Sequence, residues 1–545
     1  LAALVRACVA DAIAAAEFAG TAPGEVVVER PKNPEHGDYA TNVALRLAKP
    51  AGRSAREVAE TIAVRLRAAE GIAGVEVAGP GFLNIRLATG TLGAIVHDIV
   101  VAAAEYGRSV ELAGQRINLE FVSANPTGPV HLGHTRWAAL GDSLHRLLEA
   151  AGADVVAEHY INDFGSQMTK FGASLYAVAL GRPVPDDGYH GDYVADVAKQ
   201  IVASQPGVLE LPEPDAIAVF TARGEELMID GLRESLGRFR VEFDVWFSER
   251  SMHESGEVDA ALDRLREQGH VYDRDGAVWL RTTDFGDDKD RVLVRSTGEK
   301  TYFASDAAYY LDKRSRGFDR CVYMLGADHH GYVGRLKAIV ACAGDDPEQT
   351  IEVLIGQLVK LQRGGEEVKL SKRAGTIVTL DDFIDLVGVD AGRYSLARWS
   401  ADTPLSLDID EITRRSNDNP VFYVQYAHAR TCNAKRNAES VGIGLDVFAP
   451  ELLTSPFEAT LLTALGEFPR VVATAAELRA PHRVARYLED LAAAYHRWYD
   501  ACRIVPHGDD PIEDVNRTRA WVNDATRIVL ANGLYLLGVS APERM

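Results

Sequence analysis

Two short stretches far apart in the chain, HLGH at residues 131–134 and KLSKR at 369–373, carry the residue types best suited to chemistry on a nucleoside triphosphate. His131 and His134 lie three apart, so on the first turn of a helix their imidazoles share a face and reach one phosphate chain. Gly133 between them lets an adenine ring approach the backbone, and Asn125, Thr127 and Gly128 supply donors on the preceding loop. Lys369 and Lys372, with Ser371 between them on a loop ended by glycine, can neutralise pyrophosphate as charge builds on it in an in-line displacement. The GxxxxGK order of a phosphate-cradling loop is absent, which disfavours γ-phosphoryl transfer. Two histidines and a lysine loop suit attack by a carboxylate on the α-phosphate, giving an acyl adenylate and pyrophosphate. That nucleophile is already ionised at neutral pH, so positioning and charge stabilisation carry the step without a strong general base.

The elements around HLGH place it where such chemistry belongs. An apolar strand at 117–122, a Pro/Gly turn, a helix beginning near His131 and a second strand at 153–160 form the first unit of a doubly wound parallel sheet. Ligands of such sheets collect beyond the carboxyl ends of the strands, where helix N-termini point inward. Residues 171–290 read as mostly helical insertions, ending in the strand-like VYDRDGAVWLRTTDFG. The sheet is expected to resume at RVLVRS (291–296), TYFASDAAYYLDK (301–313) and CVYMLGADHHGYVGRLKAI (321–339), and to end near 400.

Ahead of this catalytic unit, residues 1–110 read as a small α+β domain. It has a helical opening, a polar segment at 30–49, a helix near 54–70, and a strand pair in GVEVAGPGFLNIRLA, whose turn is marked by Gly79, Pro80 and Gly81. From 401 to 545 periodic apolar runs at 421–436, 458–476, 482–505 and 512–538 predict a helical bundle. The fold expected is therefore α/β: a Rossmann-like parallel-sheet domain at 111–400 with insertions at about 171–290, between an α+β domain and an all-helical one.

A length of 545 residues fits several cores, and 47% hydrophobic with 25% charged residues fits a globular protein without extended disorder. No twenty-residue uncharged apolar span is present, and the amphipathic start carries Arg6 and Asp11, so a cytoplasmic location with no membrane partner is expected. Cys8, Cys321, Cys342, Cys432 and Cys502 never form a CxxC pair, which argues for buried thiols over a disulfide framework or a cysteine zinc site. The net charge of −21 disfavours nonspecific nucleic-acid binding while permitting a local basic strip for a specific RNA. Adjacent His329 and His330 beside Asp328 lack a third spaced ligand, so no metal site is assigned there; a pocket edge is preferred, with ATP contact from the same loop.

HLGH and KLSKR resemble the two signatures of the class I aminoacyl-tRNA synthetases. LEFVSANPTGPVHLGHTR, RSTGEKTYFASDAAYY, GADHHGY, SNDNPVFYVQYAHAR and LLGVSAPERM are similar to segments of the bacterial-type arginyl branch, and the likeness covers essentially the whole chain. The resemblance implies that arginine and Mg-ATP form arginyl adenylate, and that the arginyl group then passes to the 3′-terminal adenosine of tRNA(Arg). It also implies that bound tRNA is required even for the first step, that the protein is a monomer, and that DNA is not a partner. Residue by residue it matches Glu120 and Asn125 to the amino-acid head group and neighbouring polar atoms, and Tyr302 and Asp306 to the guanidinium side; Ser123, His134 and His330 are expected as further arginine contacts, and Asp328 and His329 as ATP contacts. Tyr302 and Asp306 are four apart, so they face one pocket if 302–312 is helical. Lys372 keeps the second lysine, which some relatives replace with one just before the histidines, where Pro129 stands here; Arg373 departs from the usual serine.

For RNA, Arg414, Arg415, Arg430, Lys435 and Arg436 cluster with Tyr423, Tyr426 and His428, a mixture suited to stacking on loop bases, with packed helix aromatics as the alternative. Lys32, Asn33, His36 and Tyr39 offer a second contact or a plain polar loop. Two other functions stay open on the motifs: an adenylate-forming enzyme with a non-tRNA acceptor, and a noncatalytic RNA-binding scaffold.

Overall fold

The computed structural model describes residues 1–24, 26–29, 31, 33, 36–368 and 378–545. Lys32, Lys369, Ser371 and Lys372 lie outside the described residues.

The N-terminal unit closes its own core. Strand β1 (Tyr39–Thr41) and the hairpin of β2 (Ile72–Ala78) and β3 (Phe82–Leu87) form a sheet in the order β1-β3-β2, packed against helices Ala2–Ala14, Val43–Ala51 and Ala55–Arg67. The hairpin turn needs its glycines: Gly81 has φ 141°, and a Cβ there would meet the Ala55 carbonyl oxygen at 2.7 Å. Helix Ala55–Arg67 starts on a reciprocal cap in which Ser54 and Glu57 satisfy each other's backbone donors. The next helix, Thr89–Ala102, leaves this core and packs on the C-terminal bundle, where Val96 and Ile99 are fully buried.

The central sheet is parallel throughout. Strands β4 (Arg116–Glu120), β5 (Asp154–Ile161) and β6 (Val245–Ser248) run side by side; β10 (Arg320–Gly326) and β11 (Ile351–Gly356) add to the opposite flank of β4, giving the order β11-β10-β4-β5-β6. The chain reverses its direction of travel across the sheet between β4 and β10, so their carboxyl ends border the switch-point crevice.

Two expectations need correction. The interval 171–290 is not all insertion, because β6 pairs with β5 as an edge strand; four half-buried residues leave no alternation to read. RVLVRS does not rejoin the main sheet: β7 (Val271–Arg274), β8 (Ala277–Leu280) and β9 (Arg291–Val294) make a separate antiparallel sheet, and TYFASDAAYYLDK is the helix Tyr302–Ser315.

Past β11, β12 (Val359–Arg363) pairs antiparallel with β13 (Glu366–Glu367) and parallel with β14 (Leu405–Asp408). The bundle follows as helices Pro420–Ser440, Pro456–Gly466, Phe468–Glu477, His482–Ala501 and Asp514–Leu536. One continuous apolar core runs from the sheet into this bundle.

Helix Leu132–Ala150 is the axis of that core, buried on nearly all sides from Thr135 to Leu148. It presses so close to the sheet that a Cβ on Gly141 would meet the Phe121 ring at 2.3 Å. Arg136, near its start, donates to the carbonyls of Gln357, Ser400 and Thr403 at 2.7–2.9 Å. Asp142, at its middle, accepts from Arg146 at 2.8 Å and pairs with the fully buried Arg393, which also donates to the carbonyls of Phe239, Arg240 and Leu537. Replacing Arg393 with Met leaves Asp142 to Arg146 alone and those carbonyls without the guanidinium, and is expected to cost about 3 kcal/mol. Chemical denaturation should show the main transition moved to lower denaturant; an unchanged midpoint would mean the pair carries no net stability.

Candidate functional site

The site begins with a strained turn. After Glu120 ends β4, Val122 and Ser123 take φ of 68° and 43°, a conformation a β-branched residue rarely adopts and one costing roughly 1–3 kcal/mol per residue. Three bonds hold it: Ser123 N–H to the Phe121 carbonyl at 2.9 Å, Ala124 N–H to Nε2 of His159 at 3.2 Å, and Tyr160 N–H to the Ser123 hydroxyl at 3.2 Å. His159 is fully buried between Trp246 and Phe243. From this turn the chain runs through exposed Asn125, buried Thr127 and half-buried Gly128 to the histidines; the Thr127 carbonyl accepts a 2.8 Å bond from the Tyr193 hydroxyl.

His131 is the N-cap of helix Leu132–Ala150, its Nδ1 accepting from the Gly133 N–H at 3.2 Å. That assignment leaves the proton on Nε2, a donor at the positive end of the helix. The His134 ring stacks on His131 with centroids 4.0 Å apart, and its buried Nδ1 has no protein partner among the described residues. Burial, reinforced by His131, lowers His134 to about 4, and burial also lowers His131. Two neutral imidazoles, one donor each, therefore face the crevice at neutral pH.

The lysine motif lies outside the described residues, but its flank is fixed here. Residue Thr379 bridges to His131, with Leu132 N–H donating to Val378 at 2.9 Å and Leu380 N–H to Val130 at 2.7 Å. Thr379 also opens the next helix through a reciprocal cap with Asp382. The downstream flank of KLSKR is thus stitched to the start of the histidine helix.

On the other side of the crevice, β10 leads into the turn Ala327–Tyr332. Asp328, His329 and His330 are all exposed there, with His329 Nε2 3.4 Å from Asp328. Among the described residues no group of three or more His, Cys, Asp and Glu is arranged to hold a metal ion. Tyr332 donates its hydroxyl to Asp306, joining this turn to helix Tyr302–Ser315. Burial is the main cause that pushes Asp306 up to about 7; the Tyr332 bond opposes it, while Glu249 and Glu120 add to it. Tyr302, on the first turn of the same helix, stands 68% exposed at the rim.

Glu120 faces this pocket from β4 and is buried, bonded to Lys313 at 2.6 Å and to the Ser123 hydroxyl at 3.2 Å. Beside it on β5, Glu158 takes bonds from Arg316, Asn118 and Tyr309. Burial raises the Glu158 carboxyl, but Lys313, Arg316 and Tyr309 outweigh it and hold it below the usual carboxylate range. Lys313, Glu158, His159, Tyr160, Glu249 and Tyr332 were not singled out from sequence. For Glu158, His159 and Tyr160 the available signal was polar residues inside the central strand segment DVVAEHYI, where a sheet covered on both faces favours apolar ones.

The residues considered for RNA contact are scattered. Asn33 and His36 are exposed, whereas the Tyr39 hydroxyl donates to Glu467 of the bundle at 3.1 Å. Arg414 and Arg415 are exposed on the loop before helix Pro420–Ser440. Tyr423 and Tyr426 both pack on His496; Arg430 bonds Asp500 and His496 and lies over Tyr499; Lys435 bonds Asp524, and Arg436 the Glu543 carbonyl. His428 is corrected to a core residue: it is buried, with Nδ1 2.9 Å from the Pro542 carbonyl oxygen.

Burial lowers His159 to about 3, with His134 adding to the effect. His134 and His159 therefore titrate below the 6.5 of an ordinary histidine, so on acidification the unfolded chain takes up protons first. Stability should be fully present above pH 6.5 and fall as the pH drops through about 4 and then 3, and His159→Gln should flatten the lower part of that slope. Denaturant midpoints measured from pH 7.5 downward check this; parallel curves for the two proteins would contradict it.

Three protein-family descriptions match in order along the chain: arginyl tRNA synthetase N terminal domain at residues 3–87, class I (R) tRNA synthetase catalytic domain at 96–189 and 212–398, and DALR anticodon binding domain at 424–545. The arginine–tRNA ligase of Paenarthrobacter aurescens is 57% identical over 548 residues, covering 100% of this chain and 99% of its own. That of Clavibacter sepedonicus is 58% identical, covering 96% and 95%. The solved arginyl-tRNA synthetase of Thermus thermophilus shares the fold, with a TM-score of 0.75 at 23% identity and full coverage of both chains. On the strength of that ordered match and of whole-length identity above one half, the chain belongs to the arginyl-tRNA synthetase family of the class I aminoacyl-tRNA synthetases.

Proposed function

We propose that the chain is an arginine–tRNA ligase that performs two reactions in the crevice between β4 and β10. In the first, the arginine carboxylate attacks the α-phosphorus of ATP, taken up with Mg2+; the bond to the bridging oxygen breaks and pyrophosphate leaves. In the second, a ribose hydroxyl of the 3′-terminal adenosine of tRNA(Arg) attacks the carbonyl carbon and AMP leaves. The observation that carries this reading is the meeting, at one switch point, of a neutral two-imidazole helix start with a pocket built on Asp306. The first suits an anion, the second a cation.

His131 and His134 donate to the triphosphate as charge shifts toward the leaving group. Lys369, Ser371 and Lys372 take the pyrophosphate from the segment whose flank is bound to His131. Thr127, Gly128, Gly133, Asp328 and His329 surround ATP; Ser123, Asn125, Glu120 and His330 hold the amino acid, with Tyr302 and Asp306 on its guanidinium. A carboxylate and a planar five-donor fork match in geometry, whereas lysine offers only a point charge. For tRNA, the exposed Arg414 and Arg415 fit a backbone contact and Tyr423, Arg430 and Arg436 the edge of a base-binding surface, with Lys32, Asn33, His36 and Tyr39 as a second contact. A cytoplasmic monomer is the form in which this activity is proposed. No described helix is long and apolar enough to cross a membrane.

Pyrophosphate exchange measured with each amino acid, with and without tRNA, tests the proposal. Exchange with arginine alone, appearing when tRNA is added, is expected; exchange with no amino acid under either condition would favour a noncatalytic RNA-binding scaffold, and exchange indifferent to tRNA an enzyme with another acceptor. Replacing His134 with Ala should cost about 2.7–4 kcal/mol in kcat, a factor of roughly 10²–10³, with little change in either KM. A KM effect with unchanged kcat would instead make His134 a ground-state contact.

A guanidinium binds the ionised form of Asp306, and burial pushes that carboxyl up to about 7. Below that pH arginine has to displace a proton, so its KM should rise about tenfold per pH unit as the pH falls, and stay level above it. Asp306→Asn should raise the arginine KM and abolish the slope, while the KM for ATP stays flat. A wild-type arginine KM constant from pH 8 to 5.5 rules out Asp306 as the guanidinium partner.

A further inference from the structure

Lys313 lies on helix Tyr302–Ser315 two turns beyond Asp306, and its side chain is fully buried. Its ammonium is 2.6 Å from Glu120 Oε2 and 3.9 Å from Glu158 Oε1, and it stands 4.2 and 3.9 Å from the ring centroids of Tyr309 and Tyr323. The reason for a cation here is written in the sheet register. Tyr323, Glu120 and Glu158 are directly aligned on neighbouring strands β10, β4 and β5, so two carboxylates stand side by side on one face, a destabilising arrangement without a counter-charge. Two carboxylates and two ring faces form a cage that suits a compact ammonium better than a planar guanidinium. Glu158 is spent on Arg316, Tyr309 and Asn118, which leaves Glu120 as the carboxylate shared between the cage and the amino-acid pocket.

We propose that Lys313 is a positioning residue for the amino acid: by pairing with Glu120 from within the chain it holds that carboxylate in place for the head group, while the guanidinium is read on the Asp306–Tyr332 side, where a carboxylate offers two lone pairs to a planar fork. Lys313 also fixes Glu120 in the rotamer that meets Ser123, tying the head-group end of the pocket to the strained turn before the histidines. This assignment rests on the arginine–tRNA ligase reading and adds to it a residue that touches neither substrate.

The test compares wild type with Lys313→Met, which keeps most of the stem and removes the charge, by arginine-dependent pyrophosphate exchange in the presence of tRNA. The arginine KM should rise at least tenfold and the ATP KM should stay within twofold. In Lys313→Ala, added n-propylamine should restore the arginine KM, while n-propanol, equal in size and uncharged, should not. Should Lys313→Met fail to fold, Lys313→Met/Glu158→Gln removes the opposed charges together and is expected to show the same rise. A folded variant with wild-type arginine KM overturns the proposal, as does equal rescue by the alcohol, which would reduce Lys313 to packing. Loss of the ligase reading would look different: wild type itself would show no arginine-dependent exchange, or Asp306→Asn would leave the arginine KM unchanged.

Discussion

The pairing of Asp142 with Arg393 is the constraint on which the catalytic unit's geometry depends. Both side chains are buried, so neither can turn to water, and three further hydrogens of the guanidinium go to backbone carbonyls of two other segments, Phe239–Arg240 and Leu537. The helix that carries Asp142 is thereby fixed along its axis at its middle, while Arg136 fixes it near its start against the loop at 400–403. Its first turn holds the two histidines. Catalysis that relies on placement tolerates little drift, since a misplacement of about 1 Å can cost on the order of 10²-fold. Buried charge at the helix centre is what converts a packed helix into a ruler.

Around this axis burial lowers both imidazoles of HLGH and pushes Asp306 upward. Beside them Glu120 pairs with Lys313 and Glu158 with Arg316. An acidic chain of net charge −21 thus presents a crevice whose field is set locally rather than by the average. The nucleotide brings negative charge to neutral donors, and the amino acid brings positive charge to a carboxyl poised to ionise.

Much of this was legible in the residues and some was not. The Pro/Gly turn into HLGH, the β4–helix–β5 unit and the long apolar periods of the bundle are strong local patterns, and the elements stand within a few residues of their expected bounds. Tyr302 and Asp306 do share a helix. Strand β6 was invisible because four half-buried residues carry no period, and β9 was assigned to the wrong sheet because a strand's sequence says little about its partner. In the bundle, Arg430, Lys435 and Arg436 pair with Asp500, Asp524 and Glu543, partners distant in sequence that the helix carrying them gives no sign of. Lys313 escaped notice for the same reason: its meaning comes from two carboxylates on different strands, a juxtaposition that only the sheet register creates.

Helix Thr89–Ala102 has a consequence for how the chain is made. The unit before it has a self-contained core and can fold as soon as it leaves the ribosome. The helix itself is covered by the bundle, and Asn532 holds the carbonyls of Ala103 and Tyr106 across 429 and 426 residues of sequence. At synthesis rates of about 5–20 residues per second, those groups wait roughly 20–90 s for their partner. During that interval the apolar face of Val96 and Ile99 lacks its final cover, so this helix reaches its native packing only when the last helix of the bundle has been made.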